Sequence, residues 1–307
     1  MADSTPDLVM RAAARLAKAG RATGLLSGDV QPDASVPRAG VETPRPASSP
    51  APEALRNTTQ GRSVNLSPTA LAANGIVLPS SGFSRTVEEF RSIKRQLLAN
   101  AAQIEQPEGA RAARLIMVTS AAPGEGKTYT AINLALALAF EKDINVLLID
   151  ADAHRQSMLS YLGISMEYGW LDLLTDDRLS LSDVVLRTNV ANLSVLPTGK
   201  LRSEIPEIMS SRKMNDFLNG LVQDPNLIVV LDCLPCLVSA EPAVLGSIVG
   251  QTLFVVAAGE TSRDEVESSL RLIEACPSVS LLLNKGDPLL VDQFSKYGYG
   301  YYYPGGK

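Results

Sequence analysis

TSAAPGEGKTYTAIN, residues 119–133, is the stretch on which the reading of this chain turns. The apolar run RLIMVTS (114–120) leads into it, and the Ala/Leu-rich run TYTAINLALALAF (128–140) continues from it. A short apolar run bounded by turn residues reads as a buried strand, and the longer run as a buried helix. Between them, Pro123, Gly124, Glu125, Gly126, Lys127 and Thr128 form the core of a P-loop, with Ala121 where the full G-x-x-x-x-G-K-[ST] pattern has glycine. The mechanism survives that change. Backbone N–H groups from Gly124 to Thr128 can point into one concavity at a helix N-terminus, which favours an anion. Lys127 then reaches the β/γ-phosphates, and the Thr128 hydroxyl faces Mg²⁺. Tyr129 is counted with the nucleotide-binding segment.

Two acidic strand ends support a nucleotide site. LLIDAD places Asp150 and Asp152 just past a second apolar run, and LIVVLD places Asp232 at the end of a later one. The carboxyl ends of parallel strands line the ligand crevice of such sheets. One of these acids is expected to hold Mg²⁺ through water. The D-x-D pair exceeds what a simple nucleotide switch needs. Phosphoryl transfer to a hydroxyl of pKa near 10 gains from a base beside the metal.

From Arg114 onward, strand and helix patterns alternate. INVLLID, NLSVLPTG, LIVVLD, TLFVVAAG and VSLLLN are strand candidates, and HRQSMLSYLG is a helix candidate. Near-continuous apolar strands between helices predict an α/β fold, a parallel sheet with helices on both faces. Before it, residues 1–19 can form an amphipathic helix, with Leu8, Ala12 and Leu16 on one face. Residues 20–81 are rich in Pro, Ser and Ala, as in TPRPASSPAPEA, and read as a disordered linker. TVEEFRSIKRQLLAN (86–100) then reads as a helix, with Phe90, Ile93 and Leu97 on one face. The folded domain is expected over 82–290, and a flexible tail over 291–307.

The chain of 307 residues carries a net charge of −5, which disfavours a general nucleic-acid-binding surface. It has no uninterrupted apolar run of membrane-spanning length and no signal-peptide pattern, so a cytoplasmic location is expected. Three cysteines make no disulfide framework. Cys233 and Cys236 form C-x-x-C, a redox or metal pattern that reads first as two small buried hydrophobes. LLLNKGDP contains the N-K-x-D of guanine readers, but Asp232 is followed by Cys-Leu-Pro rather than by the D-x-x-G of GTPases. His154, the single histidine, has no second ligand nearby in sequence.

The chain closes with SKYGYGYYYPGGK. Five of its eight tyrosines, Tyr297, Tyr299, Tyr301, Tyr302 and Tyr303, fall in this tail. Gly298 and Gly300 keep such a segment flexible. Phosphorylation of all five would add roughly −8 to −10 charges.

Together these motifs resemble the bacterial tyrosine kinases of the P-loop type, autokinases of exopolysaccharide and capsule synthesis, over about residues 82–307. The stretch APGEGKT resembles that family's Walker A, LLIDADAHRQSMLSYLGI its Walker A′, LIVVLDCLP its Walker B, and the tail its tyrosine cluster. The helix EEFRSIKRQLLANA resembles its E-x-x-R-x-x-R segment, with Glu88 and Arg91 kept and Lys94 in place of the second arginine. The wording is closest to the stand-alone type linked to exosortase loci.

The resemblance implies ATP and Mg²⁺ as cofactors. It implies that Lys127 holds the β/γ-phosphates, that Thr128, Asp152 and Asp232 organise the metal, and that Asp150 sits nearest the incoming tyrosine hydroxyl. It further implies that Arg155 neutralises phosphate charge, that Asn284 contacts adenine, and that Glu88, Arg91 and Lys94 make subunit contacts in a homo-oligomeric ring. The implied partners are a membrane chain-length-determinant-type activator, which would hold the kinase at the inner membrane, and a phosphotyrosine phosphatase. His154 and Gln156, and Cys233 and Leu234, depart from the family's usual residues without removing a ligand. The alternative is a MinD/ParA-type P-loop ATPase switch without kinase activity. Against it stand the tyrosine-rich tail and Ala122, which occupies the position of that group's signature lysine.

Overall fold

Alternate residues of a strand face opposite sides of a sheet, and in the central strands of this chain both sets are apolar. Leu115 and Met117 enter one hydrophobic cluster while Ile116 and Val118 enter another. Leu227, Val229 and Leu231 divide from Ile228 and Val230 in the same way. A sheet of this kind must be covered on both faces.

The computed structural model describes residues 62–78, 84–102, 107–155, 157–201 and 203–286. Its elements in chain order are β1 (Arg62–Val64), α1 (Pro68–Ala73), α2 (Arg85–Ala102), α3 (Pro107–Ala112), β2 (Leu115–Ser120), α4 (Lys127–Ala139) and β3 (Asn145–Ala151). There follow α5 (Ser157–Leu162), α6 (Trp170–Thr175), α7 (Leu181–Val184), β4 (Leu186–Thr188), β5 (Leu193–Leu196), α8 (Ile205–Met209) and α9 (Arg212–Leu221). The last elements are β6 (Leu227–Cys233), α10 (Glu241–Gly246), β7 (Gln251–Ala257), α11 (Arg263–Leu272) and β8 (Ser278–Asn284). The described strands form one sheet in the order β1-β4-β5-β3-β6-β2-β7-β8.

One face is covered by Trp170 of α6, Met214 and Leu218 of α9, and Leu245 of α10. The other is covered by α4 and by Phe90 and Leu97 of α2. Helix α4 is buried at every position from Thr130 to Ala139, as expected of a helix apolar all round. Truncating one of its leucines, such as Leu136, to alanine would cost about 2–5 kcal/mol. The surface helices are set by their caps. Ser211 accepts the Met214 N–H at 3.2 Å at the start of α9. Ser262 and Glu265 bond each other's main-chain N–H at 3.3 and 2.8 Å at the start of α11.

Three expectations are corrected. Residues 62–78, assigned to the linker, instead supply an edge strand and helix α1, with Leu66, Leu71 and Ile76 buried in the α4 face. The buried positions 66, 71 and 76 recur at intervals of five, which matches neither the strand nor the helix period. The sheet is not purely parallel, because β4 pairs β5 antiparallel. Only residues 189–192 join the two strands, too few for the crossover that parallel neighbours need. The helix expected from His154 begins at Ser157 instead. The expected N-terminal helix and the tyrosine tail lie outside the described residues.

Candidate active site

The site is assembled at the carboxyl ends of β2, β3 and β6. Strand β2 ends at Ser120, and the chain turns through residues 121–126 into α4. Gly124 and Gly126 hold φ of 86° and 100°, values that favour glycine. A Cβ added at Gly124 would meet nothing within 4 Å, so the cradle is open above it. One added at Gly126 would collide with the Asn284 side-chain nitrogen.

The loop is braced from behind through Glu125. Its carboxylate accepts the Ala122 N–H at 2.6 Å and the Thr261 hydroxyl, and Thr261 in turn accepts the Ala257 N–H at 3.0 Å. The Asn284 side-chain amide donates to the Glu125 carbonyl at 2.8 Å. The ends of β7 and β8 therefore both grip this residue. Glu125 and Asn284, expected among the nucleotide contacts, here hold the loop in shape. The Tyr129 ring lies edge-on to Phe90 of α2, with ring centres 6.1 Å apart.

Asp150 and Asp232 are register partners on the neighbouring parallel strands β3 and β6. Register partners project to the same face of the sheet, so the two carboxylates are brought together although 82 positions separate them in sequence. Both are fully buried, and none of their four oxygens has a hydrogen-bond partner. Burial first, then the charges of Asp232 and Asp152, pushes the Asp150 carboxyl up to about 8. Burial raises Asp232 to about 7, against the pull of the Thr128 hydroxyl and the Lys127 ammonium. Asp152 lies just past β3 and accepts the Arg155 main-chain N–H at 3.3 Å.

Orphaned, buried carboxylate oxygens beside a lysine and a hydroxyl are hard donors that fit Mg²⁺. Among the described residues no three acidic, histidine or cysteine side chains form a metal cage by themselves. That composition suits an ion completed by phosphate oxygens and water.

Pro123, Lys127, Asp152, His154 and Arg155 line a cavity of about 390 Å³. His154 and Arg155 are exposed at this rim. The cysteines lie behind the site. Cys233 and Cys236 are free, buried thiols, and burial pushes both above the ordinary thiol value. Thiols so protonated are poor nucleophiles and ligands.

The structure adds residues that no linear pattern singles out. The Trp170 indole N–H and the Thr198 hydroxyl both donate to the Asp150 carbonyl at 2.8 Å. Ser157 lies 3.2 Å from the Thr128 hydroxyl. Each comes from a different connection, so only folding makes it a neighbour. The single signal in the sequence was Trp170 itself, the one tryptophan of the chain.

The expected subunit-contact trio is divided. Arg91 pairs with Glu88 on the surface of α2. Lys94 instead turns inward and is buried, 2.5 Å from Glu141 at the end of α4.

The largely parallel sheet, the glycine cradle and the acidic strand ends define a P-loop nucleotide-binding protein. Residues 113–249 match the AAA domain family. Tyrosine-protein kinase CpsD of Streptococcus agalactiae is 30% identical over 180 residues, 56% of this chain and 75% of its own length. Tyrosine-protein kinase YwqD of Bacillus subtilis is 28% identical over 216 residues, 70% of this chain and 82% of its own. The kinase domain of the Escherichia coli tyrosine kinase ETK superposes with a TM-score of 0.58 at 26% identity, covering 71% of this chain and 81% of that domain. The chain belongs to the bacterial P-loop tyrosine-protein kinases. Among the described residues no helix is long and apolar enough to cross a membrane.

Proposed function

We propose that this chain is an ATP- and Mg²⁺-dependent autokinase that phosphorylates its own tail tyrosines, Tyr297, Tyr299, Tyr301, Tyr302 and Tyr303. The observation that carries the reading is the Asp150–Asp232 pair, in register and without hydrogen-bond donors, beside Lys127 and Thr128. Lys127 binds the β/γ-phosphates, and main-chain N–H groups at the start of α4 orient them. Thr128, Asp152 and Asp232 would hold Mg²⁺, which when bound offsets charge on the transferring phosphoryl group. Asp150, in its ionised form, takes the proton from the phenolic oxygen as that oxygen attacks the γ-phosphoryl group and ADP leaves. A carboxyl pushed up to about 8 is far better matched to a phenol of pKa near 10 than an ordinary aspartate. Arg155 meets phosphate charge at the rim. Asn284 and Tyr129 border the nucleotide through the loop they support.

In this reading tails are donated to a neighbouring subunit in a ring, contacts run through Glu88 and Arg91, and accumulated phosphate charge loosens the assembly. Names of the relatives support the tyrosine chemistry. Regulation of exopolysaccharide polymerisation and export, a membrane-bound activator of the chain-length-determinant type, peripheral placement at the inner membrane and reversal by a phosphotyrosine phosphatase complete the proposal.

The test is incubation with ATP and Mg²⁺ followed by mass spectrometry of the C-terminal peptide. Phosphate on Tyr297–Tyr303 in the parent, and none in Lys127→Met, is the expected result. ATP hydrolysis without phosphotyrosine would favour the nucleotide-switch alternative.

A further inference from the structure

The cleft beside the phosphate cradle has two walls of opposite character. Lys127 and Asp152 form the polar wall, and Pro206, Pro235 and Val238 form the other. Pro206 and Val238 are open to solvent, with Val238 60% exposed and its neighbour Leu237 42%, whereas Pro235 is buried. Branched aliphatic groups on a surface beside a charged site are better explained by what they contact than by packing.

This wall is also held in place. The Thr119 hydroxyl donates to the Leu234 carbonyl at 2.6 Å. The Cys236 N–H donates to the Ser120 carbonyl at 2.8 Å, and the Leu237 N–H to the Ala121 carbonyl at 3.2 Å. The loop after β6 is thus tied to the strand that carries the phosphate cradle. The position of residues 234–237 relative to the cradle is set by these bonds. The exposed Pro206 ring and the exposed Val238 side chain offer apolar surface of the kind an aromatic ring covers well.

We infer that this wall is the acceptor subsite, on which the ring of a tail tyrosine lies with its hydroxyl directed at the carboxylates. The inference rests on the kinase reading above and deepens it by assigning the residues that select tyrosine over serine or threonine. A short hydroxyl side chain would reach the carboxylates only by drawing its main chain into the cleft, and would leave the wall uncovered.

The occupant is the segment Tyr297–Tyr303 of this chain. Tyr297 lies eleven positions beyond Gly286, the last residue described, a reach of up to about 36 Å. Strand β8 lies four strand spacings from β3, roughly 19 Å, so the tail is long enough to span the sheet and leave its edge. Gly298 and Gly300 flank the first two tyrosines and let the main chain pass close to the wall.

The experiment uses the full chain with all five tail tyrosines changed to alanine, so that its own tail does not compete. The acceptor is a synthetic peptide of residues 296–307. Val238→Asp is expected to raise the peptide KM at least about fivefold, with the KM for ATP unchanged and kcat within about twofold. Val238→Leu is expected to keep the parent peptide KM, and Pro206→Ser to raise it. A peptide with serine in place of every tyrosine is expected to remain unlabelled. An unchanged peptide KM in Val238→Asp, or an equal loss of ATP affinity, overturns the subsite while leaving the kinase reading intact. Absence of phosphotyrosine with the unaltered wall, despite ATP turnover, overturns both.

Discussion

Replacing Asp150 by asparagine is expected to stabilise the metal-free protein while abolishing its activity. The fold holds this carboxyl fully buried, with neither oxygen bonded to a donor. Its proton is kept to about pH 8 in the folded state, against an ordinary value of 3.8. Between those values the folded state binds a proton that the unfolded chain has released, so this residue's contribution to stability falls as pH rises. At pH 7 the penalty is at most about 4 kcal/mol, since each pKa unit is worth about 1.4 kcal/mol. An amide in the same place also lacks partners, which costs about 1–3 kcal/mol. A net gain of at most about 1–3 kcal/mol is expected, or roughly 2–12 °C in Tm for a domain of this size. The assay is thermal unfolding in EDTA at pH 6, 7 and 8, beside ³²P incorporation with ATP and Mg²⁺. Asp150→Asn should have the higher Tm, with the margin growing toward pH 8, and labelling should fall about 100-fold or more. A Tm below that of the parent at pH 8, or a margin equal at pH 6 and pH 8, would refute the reasoning.

Other expectations follow from the same geometry. Mg²⁺ should raise the Tm of the parent more at pH 8 than at pH 6, because the raised carboxyl of Asp232 must lose its proton before metal binds; an opposite trend in a melting series would count against the metal assignment. Trp170→Phe removes one of two donors on the Asp150 carbonyl and should lower kcat about five- to tenfold, with the KM for ATP held, as steady-state kinetics will show. Glu125→Ala strands the Ala122 N–H and the Thr261 hydroxyl and should weaken ATP binding about tenfold by calorimetry, whereas Glu125→Gln keeps one acceptor and loses less. Lys94→Met should leave oligomer size in ultracentrifugation unchanged, since Lys94 is turned onto Glu141 within the same chain; a shift in size would return it to the subunit interface.

The central strands, the helix after the glycine loop and the phosphate cradle were legible in the sequence because each depends on neighbours in the chain. RLIMVTS became β2, and TYTAINLALALAF nearly coincides with α4. The edge elements were not legible. Strand β1 and helix α1 draw their stability from Leu66, Leu71 and Ile76 meeting the α4 face, a contact with partners far along the chain and no local period. The antiparallel turn of β4 onto β5 was hidden for a different reason, since three- and four-residue strands are too short to show alternation.

The sequence by itself determined which groups the site contains: a lysine and a hydroxyl at a helix start, a D-x-D and one further aspartate. Tertiary structure decided what those groups are to one another. Strand register set Asp150 against Asp232, and burial raised both carboxyls. Separate connections brought Trp170 and Thr198 onto the Asp150 carbonyl, and Thr261 and Asn284 onto Glu125. Packing turned Lys94 inward and left Val238 facing the cleft. Residue type is a property of position in the chain. Burial, the pairing of charges and the aim of a side chain belong to the space that distant segments share, and these govern how the chemistry is performed.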